Sequence, residues 1–104
     1  MIKYFCLVTS DSKDPAYEIF EDRIKENLWP LYNKTPFLSE INIGDYVTFY
    51  IAGNKKNKRT FTASAQIKQL VIPSENIVDP NKTKKIIEKY LVFKNINIFQ
   101  NPIG

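Results

Sequence analysis

The sequence contains no histidine, one cysteine and three glycines among its 104 residues. Without histidine the chain has no Ser-His-Asp triad, no imidazole ligand for zinc and no side chain that ordinarily titrates near neutral pH. With so little glycine, neither a phosphate-binding P-loop nor a dinucleotide-binding glycine motif can be written anywhere in the chain. The lone Cys6 cannot form an internal disulfide, and its position in an apolar segment predicts a small buried side chain.

Long apolar runs are also missing. No segment approaches the roughly 18 apolar residues that a membrane-spanning helix requires, and the N-terminal segment has no cleavage-site pattern. We therefore expect a cytoplasmic protein that does not contact membranes. A chain of this length accommodates one hydrophobic core, so residues 1–104 are expected to form a single domain.

Catalytic residues are hard to find in this chain. Carboxylates such as Asp11, Asp14, Glu18 and Asp45 are the remaining candidates for acid–base chemistry. They occur near predicted helix starts and turns, where acidic side chains usually have structural roles. No nucleophile–base pair and no metal-binding constellation can be named, so we expect a protein that is not an enzyme and uses no cofactor.

The charge is distributed unevenly along the chain. Residues 1–52 carry five basic and eight acidic side chains, whereas residues 53–104 carry ten basic and three acidic ones, which gives net charges of −3 and +7. Basic residues cluster at Lys55, Lys56, Lys58 and Arg59 and again at Lys82, Lys84, Lys85 and Lys89. Such clusters are typical of phosphate-binding surfaces, although lysines also serve simply as solvated surface residues.

The first half of the chain predicts a strand followed by a helix. Ile2–Thr9 is short and rich in aromatic and β-branched residues, which favours a strand. Asp14 is a good N-cap and Pro15 suits the first helical position, so a helix is expected from there to about Asn27. Its predicted apolar face consists of Tyr17, Phe20, Ile24 and Leu28. Pro30 then stops the helix and holds Trp29 in an extended conformation.

The second half predicts a hairpin, a second helix and a final strand. Tyr46–Ala52 and Phe61–Ile67 are expected to pair as a hairpin across the basic connection Gly53–Arg59. Asp79-Pro80 resembles the first helix start, and Ile86, Ile87, Tyr90 and Leu91 would give a short helix one apolar face. Val92–Phe99 is expected to form the last strand. This order of elements indicates an α+β fold.

Several of these segments, in this order, resemble an EVE domain, a member of the PUA-like superfamily that is related to YTH domains. The segments that carry the resemblance are Tyr4–Thr9, Asn27-Leu28-Trp29, Leu38–Asp45, Tyr46–Ala52 and Lys89–Phe93. The position of Trp29 and the Phe61-x-Ala63-x-Ala65-x-Ile67 pattern are also similar to YTH domains. No single segment is highly specific, but their order and spacing together are stronger.

The resemblance implies a PUA-like mixed β-barrel of about five strands with two short helices. It covers nearly the whole chain, yet the final strand and helix expected of an EVE domain are absent from residues 1–104. The chain is therefore either an excised part of a longer protein or a shortened variant. In the second case another copy or an attached domain is expected to cover the open sheet edge.

The resemblance also implies a pocket that holds one base of a nucleic acid. Trp29 would stack on the base, Thr9 and Ser10 would hydrogen-bond its edge, and Tyr50 and Phe61 would form further aromatic walls. The Lys55, Lys56, Lys58 and Arg59 side chains would contact phosphate. Without the resemblance, the sequence is equally consistent with Trp29 as a core residue.

The expected function is a non-catalytic nucleic-acid-binding module that inserts one base, most readily a modified base such as a methylated one, into an aromatic pocket. Two alternatives stay open. One is an RNA- or DNA-binding module that is indifferent to modification. The other is a protein-interaction domain of a larger defence complex, whose unpaired sheet edge recruits a partner strand. The residues do not decide between DNA and RNA or identify the modification.

Overall fold

The computed structural model of the protein describes residues 2–32, 35, 38–75, 77–78 and 86–104. Within these ranges the chain forms one helix and six strands. In chain order they are β1 (Tyr4–Ser10), α1 (Ala16–Glu26), β2 (Trp29–Tyr32), β3 (Tyr46–Ala52), β4 (Thr60–Val71), β5 (Ile77–Val78) and β6 (Ile86–Ile103). No helix in this part of the chain has the length and apolarity needed to cross a membrane.

All the strands belong to one curled sheet. Its strand order is β1-β3-β4-β6-β2, and β5 pairs with the start of β6. β1 runs parallel to β3 and the other pairs are antiparallel, so the sheet is mixed. The pairing of β4 with β6 shifts register three times, and such bulges bend and twist strands. The resulting half-barrel with one helix confirms a barrel-like α+β fold.

The predicted hairpin is confirmed as β3 and β4, and its strands alternate between two faces of the sheet. Val47, Phe49 and Ile51 are almost completely buried, and we call the face that carries them the inner face. The opposite side of the sheet is the outer face. Cys6 on β1 lies on the outer face and is exposed, so the predicted burial of Cys6 is wrong. The surrounding segment is apolar at nearly every position, and its sequence therefore does not show which alternate residues face the core.

The core lies between the inner face and α1. The helix contributes Ala16, Ile19 and Phe20, each of which is at most 5% exposed. Phe20 packs against the fully buried ring of Phe49, with 5.4 Å between the two ring centroids. Fully burying an aromatic side chain of this size stabilises a fold by roughly 1.5–3 kcal/mol, so contacts of this kind are what hold the helix on the sheet.

The predicted first helix is confirmed as α1, but its N-terminal cap differs from the prediction. Pro15 occupies the N-cap position that we assigned to Asp14, and it has no side-chain acceptor to offer. The carboxylate comes instead from Asp11, whose Oδ1 accepts a 2.8 Å hydrogen bond from the Ala16 N–H. Leu28, which we assigned to the apolar face of the helix, lies beyond the last helical residue and is 37% exposed.

The predicted second helix is wrong over residues 86–91, which form the first part of β6. Leu91 pairs with Trp29 on β2 and with Leu70 on β4, so β6 has a strand on each side at this point. Pairing with two strands outweighs the short helical periodicity that the sequence shows here. The helix-start signal at Asp79-Pro80 lies in residues 79–85, outside the described residues.

Asn27 joins the end of α1 to β6. Its backbone adopts the left-handed conformation, with φ of 54°, which ends the helix. Its side-chain amide then pairs with the backbone of Phe93: Nδ2 donates to the carbonyl oxygen at 3.0 Å, and Oδ1 accepts from the N–H at 2.8 Å. The Asn27 side chain thus forms the hydrogen bonds to β6 that a neighbouring strand would form. The pairing of β2 with β6 begins two residues later, at Trp29.

The two hydrogen bonds to Phe93 can be tested by replacing Asn27→Gly. Glycine adopts the left-handed conformation without strain, so the substitution removes the amide and leaves the helix end intact. Since each net hydrogen bond contributes about 1 kcal/mol, we expect the free energy of unfolding in urea to fall by roughly 1–3 kcal/mol. An unchanged free energy of unfolding would show that water replaces the amide at no cost.

Candidate functional site

The ring of Trp29 lies in the core. Trp29 is 3% exposed and lies at the start of β2, the last strand in the sheet order. Among the described residues β2 pairs with β6 alone, and an edge strand of this kind tolerates Pro30. The centroid of its ring is 4.9 Å from that of Phe49, 6.4 Å from Phe20 and 6.3 Å from Phe93. The sequence allowed Trp29 to be either a base-stacking residue or a core residue. Its burial and its ring contacts are those of a core residue.

Arg23 differs from the other neighbours of Trp29. Its guanidinium carbon lies 4.9 Å from the centroid of the Trp29 ring, in the geometry of a cation–π contact. The same guanidinium donates a 3.0 Å hydrogen bond from Nη2 to the hydroxyl of Tyr32. Arg23 is half-buried near the C-terminal end of α1, whereas the phenylalanine rings around Trp29 belong to the core. A planar, solvent-reaching group therefore covers the tryptophan ring.

Thr9 is a polar residue on the buried side of β1. It is 2% exposed, and its hydroxyl oxygen has no hydrogen-bond partner among the residues that the structure describes. A buried hydroxyl without a partner costs roughly 1–3 kcal/mol, so its persistence calls for an explanation. Ser10, the next candidate residue, is exposed at the end of β1, where it lies beside Ala52 of β3.

Tyr50 and Phe61 do not line a pocket with Trp29. Tyr50 follows Phe49 on β3 and therefore points to the outer face, while Phe49 contacts Trp29 on the inner face. Phe61 lies opposite Tyr50 on β4, and the two rings meet edge to face with centroids 5.0 Å apart. Strand alternation thus places Tyr50 and Phe61 on the other side of the sheet from Trp29, and the structure does not bring the three predicted residues together.

The basic loop, residues 53–59, connects β3 to β4 and carries four exposed cations. These are the predicted phosphate contacts Lys55, Lys56, Lys58 and Arg59. The Lys56 ammonium lies 4.7 Å from the centroid of the Tyr17 ring on α1, which places the loop beside the first turn of the helix. Asn57 anchors the loop, because its carbonyl oxygen accepts a 2.7 Å hydrogen bond from the Thr60 hydroxyl.

The second basic cluster is only partly described. Lys82, Lys84 and Lys85 lie outside the described residues. Lys89 is half-buried on β6, where its ammonium donates to the carbonyl oxygen of Leu38 at 3.4 Å. Of the two basic clusters, the basic loop is therefore the one that the structure places beside α1.

Asp11 joins the basic loop to the helix. Its Oδ1 accepts from the Ala16 N–H at 2.8 Å and its Oδ2 from the Asn54 N–H at 3.1 Å. These two donors, together with the nearby Lys55 cation, hold the pKa of the Asp11 carboxyl below its usual range. Gly53 makes the approach possible, since a Cβ at this position would lie 2.5 Å from Asp11 Oδ1.

Sequence reasoning missed both Arg23 and the role of Asp11. Arg23 precedes Trp29 by six residues. The chain reverses between them at Asn27, whose left-handed backbone brings the Trp29 ring under the Arg23 side chain. Asp11 and Asn54 are distant in sequence and meet only because β1 pairs in parallel with β3. Neither contact leaves a spacing pattern that a single sequence would reveal.

Comparison with known proteins adds no family to this geometry. Neither a scan against models of protein families nor a search of curated proteins found a match to this chain. The resemblance to EVE and YTH domains therefore stays a prediction that rests on the residues.

The carboxylate of Asp11 can be tested through the pH dependence of stability. Because its folded pKa lies below the unfolded value of about 3.9, ionised Asp11 stabilises the fold at neutral pH, and this contribution is lost as the pH falls through the folded pKa. We expect Asp11→Asn to melt at a lower temperature than the wild type at pH 7. The difference should shrink as the pH falls below about 4.

Asp14→Asn is the matched control, because Asp14 is an exposed carboxylate three residues away that does not cap the helix. Thermal melts followed by circular dichroism from acid to neutral pH would measure both variants. Identical pH profiles for Asp11→Asn and Asp14→Asn would contradict the assignment of the cap to Asp11.

Proposed function

We propose that this chain is a non-catalytic nucleic-acid-binding module of PUA-like architecture that takes one base out of a strand and stacks it on Trp29. The observation that carries the proposal is the guanidinium of Arg23, which lies over the Trp29 ring at 4.9 Å. A guanidinium is flat and stacks on aromatic faces as a base does. Arg23 thus occupies a position that a base can take once the arginine side chain swings out.

The exchange of Arg23 for a base is energetically reasonable. Displacing the guanidinium gives up its cation–π contact with the Trp29 ring, worth about 0.5–2 kcal/mol, and its hydrogen bond to the Tyr32 hydroxyl, worth about 1.5–3 kcal/mol. Stacking of a base on the ring returns about 1–3 kcal/mol, and contacts with phosphate have to supply the remainder. Phe20, Phe49 and Phe93 are held by the core and cannot leave the ring at comparable cost. Once displaced, the guanidinium is available to pair with a phosphate of the same strand.

Charge defines the side from which a strand approaches. The solvent-facing side of α1 has one exposed cation, Lys25, and a net negative charge that disfavours phosphate there. Its carboxylates are Glu18, Glu21, Asp22 and Glu26. The basic loop lies beside the start of the same helix, through the contact of Lys56 with Tyr17. Tyr17 and Arg23 are six residues apart, which is about 9 Å along the helix axis and about a third of a turn around it. A strand that runs from Arg23 toward the first turn of α1 would bring its phosphates to the loop cations.

We propose that the Thr9 hydroxyl, which is buried on the inner face of the sheet, hydrogen-bonds the edge of the base. A methyl group alone adds about 0.8 kcal/mol, or roughly fourfold in affinity, so stacking by itself distinguishes a modified base poorly. Stronger selectivity requires a polar group that is satisfied only when the right ligand is present. In the part of the chain that the structure describes, the Thr9 hydroxyl is the buried side-chain group that lacks a partner.

Stacking on Trp29 can be tested with two buried aromatic substitutions that differ in access to a base. Both Trp29→Leu and Phe49→Leu are expected to destabilise the core, but only Trp29 has Arg23 over its ring. We expect Trp29→Leu to weaken binding of single-stranded oligonucleotides by about fivefold or more, measured by fluorescence anisotropy where both variants are folded. Phe49→Leu should lose less affinity than Trp29→Leu, because it loosens the packing of the Trp29 ring but keeps the stacking surface.

The same titrations, made with matched strands that carry methylated or unmodified adenine or cytosine, measure the preference for a modification. A preference that disappears in Trp29→Leu supports base reading. Equal affinity for all strands and equal losses in Trp29→Leu and Phe49→Leu would reduce the function to modification-independent binding. Weak binding that does not respond to salt would leave protein interaction as the function.

The role of Thr9 predicts opposite effects on stability and binding. Thr9→Val keeps the shape of the side chain and replaces an unpaired buried hydroxyl with a methyl group, so the free energy of unfolding should rise by about 1 kcal/mol. If the hydroxyl bonds a base edge, oligonucleotide affinity should fall by several-fold in the same variant. Urea unfolding and binding titrations measure the two quantities, and an unchanged affinity would exclude Thr9 from the site.

A further inference from the structure

The outer face of the sheet carries three rows of side chains that run across β1, β3, β4 and β6. Residues directly opposite each other on paired strands share a face, so the registers define the rows. In order from β1 to β6 they are Tyr4, Tyr46, Gln66 and Lys94; Cys6, Thr48, Ser64 and Asn97; and Val8, Tyr50, Phe61 and Ile103. Four of the twelve side chains are aromatic.

Two of these aromatic rings form a stacked pair in the open. The rings of Tyr4 and Tyr46 lie 5.5 Å apart with an angle of 17° between their planes. Tyr4 is 79% exposed and Tyr46 is 36% exposed, so the pair projects from the face instead of packing into the core. A ligand that covers such a pair removes apolar surface from water, which favours binding.

A shallow groove of about 440 Å³ lies beside the pair. Its lining is mostly apolar, and the Thr48 and Ser64 side chains supply hydroxyl groups to it. Cys6, the only cysteine of the chain, also lines the groove and is exposed. A flat apolar wall with a few hydrogen-bonding groups suits a heteroaromatic ring whose edge carries donors and acceptors.

The charges of the two sides of the sheet differ in sign. None of the twelve side chains in the three rows is acidic, and Lys94 brings a cation to the first row. The opposite side of the domain is covered by α1 with its four carboxylates, Glu18, Glu21, Asp22 and Glu26. A polyanion is therefore accepted on the outer face and repelled from the solvent-facing side of the helix.

We propose that the outer face is a second nucleic-acid-binding surface, on which bases of a single strand stack against Tyr4 and Tyr46. Thr48 and Ser64 hydrogen-bond the edge of the base in the groove, and Lys94 contacts phosphate. Base stacking on exposed aromatic residues of a sheet, combined with nearby cations, is how single strands are bound with little regard to sequence. The surface lies on the other side of the sheet from Trp29 and does not depend on the base site proposed there.

Cys6 allows the surface to be tested directly, because its thiol is the only one in the protein. A thiol-specific alkylating reagent should modify Cys6 at a rate that falls when single-stranded oligo-dA, oligo-dT or oligo-U is added, with double-stranded DNA giving weaker protection. Comparison of the DNA and RNA strands shows which of the two binds better. An alkylation rate that is unaffected by saturating oligonucleotide would overturn the proposal.

Substitution of the stacked pair provides the second measurement. Tyr4→Ala should fold normally, since the side chain is 79% exposed, and should weaken single-strand binding by about fivefold or more. Ile72→Ala, at a 74% exposed apolar residue outside the three rows, is the matched control and should bind as the wild type does. If Tyr4→Ala leaves oligonucleotide affinity unchanged but dissolves a dimer of the chain, the face is a protein interface and the proposal is wrong.

The proposals of the two nucleic-acid sites can be tested independently. Protection of Cys6 that persists in Trp29→Leu supports the outer surface whatever the fate of the base site. Loss of affinity in Trp29→Leu without any protection of Cys6 supports the base site and refutes the outer surface.

Discussion

The contacts of Phe49 on β3 connect the helix with two other strands of the sheet. Its fully buried ring reaches Phe20 on α1, Trp29 on β2 and Phe93 on β6, with centroid distances of 5.4, 4.9 and 5.2 Å. The helix, the edge strand and the far side of the sheet are thus held by one aromatic cluster. The cluster also fixes the orientation of the Trp29 ring, so the side that Arg23 covers is determined by the packing of the core.

The fold could be predicted from the sequence where local pattern decides structure. The strand at Tyr4–Ser10, the helix at Ala16–Glu26 and the hairpin of β3 and β4 were all expected, because each has its own periodicity or turn chemistry. Residues 86–91 were expected to be helical and are a strand. Their conformation is set by pairing with β2 and β4, and no local signal reports that pairing.

The site was less predictable than the fold, because it depends on which face each strand residue takes and on contacts between distant segments. The resemblance implied that Tyr50 lines a pocket with Trp29, yet the period of two in β3 places Tyr50 on the opposite face. The cover that Arg23 forms over Trp29 and the stack of Tyr4 on Tyr46 arise from a helix end and from a parallel strand pair. Neither contact can be predicted without knowing how the helix ends and which strands pair.

The central claim is that a base replaces Arg23 on the Trp29 ring, and the indole signal of Trp29 reports on this directly. The chain has one tryptophan, so a ¹⁵N-labelled sample gives a single indole N–H resonance. We predict that this resonance shifts progressively when a single-stranded oligonucleotide is added, as the ring current of the stacked base replaces the guanidinium. A resonance that stays in place while the backbone signals of residues 53–59 shift would show that the strand is held by the basic loop without entering the core, and would contradict the account.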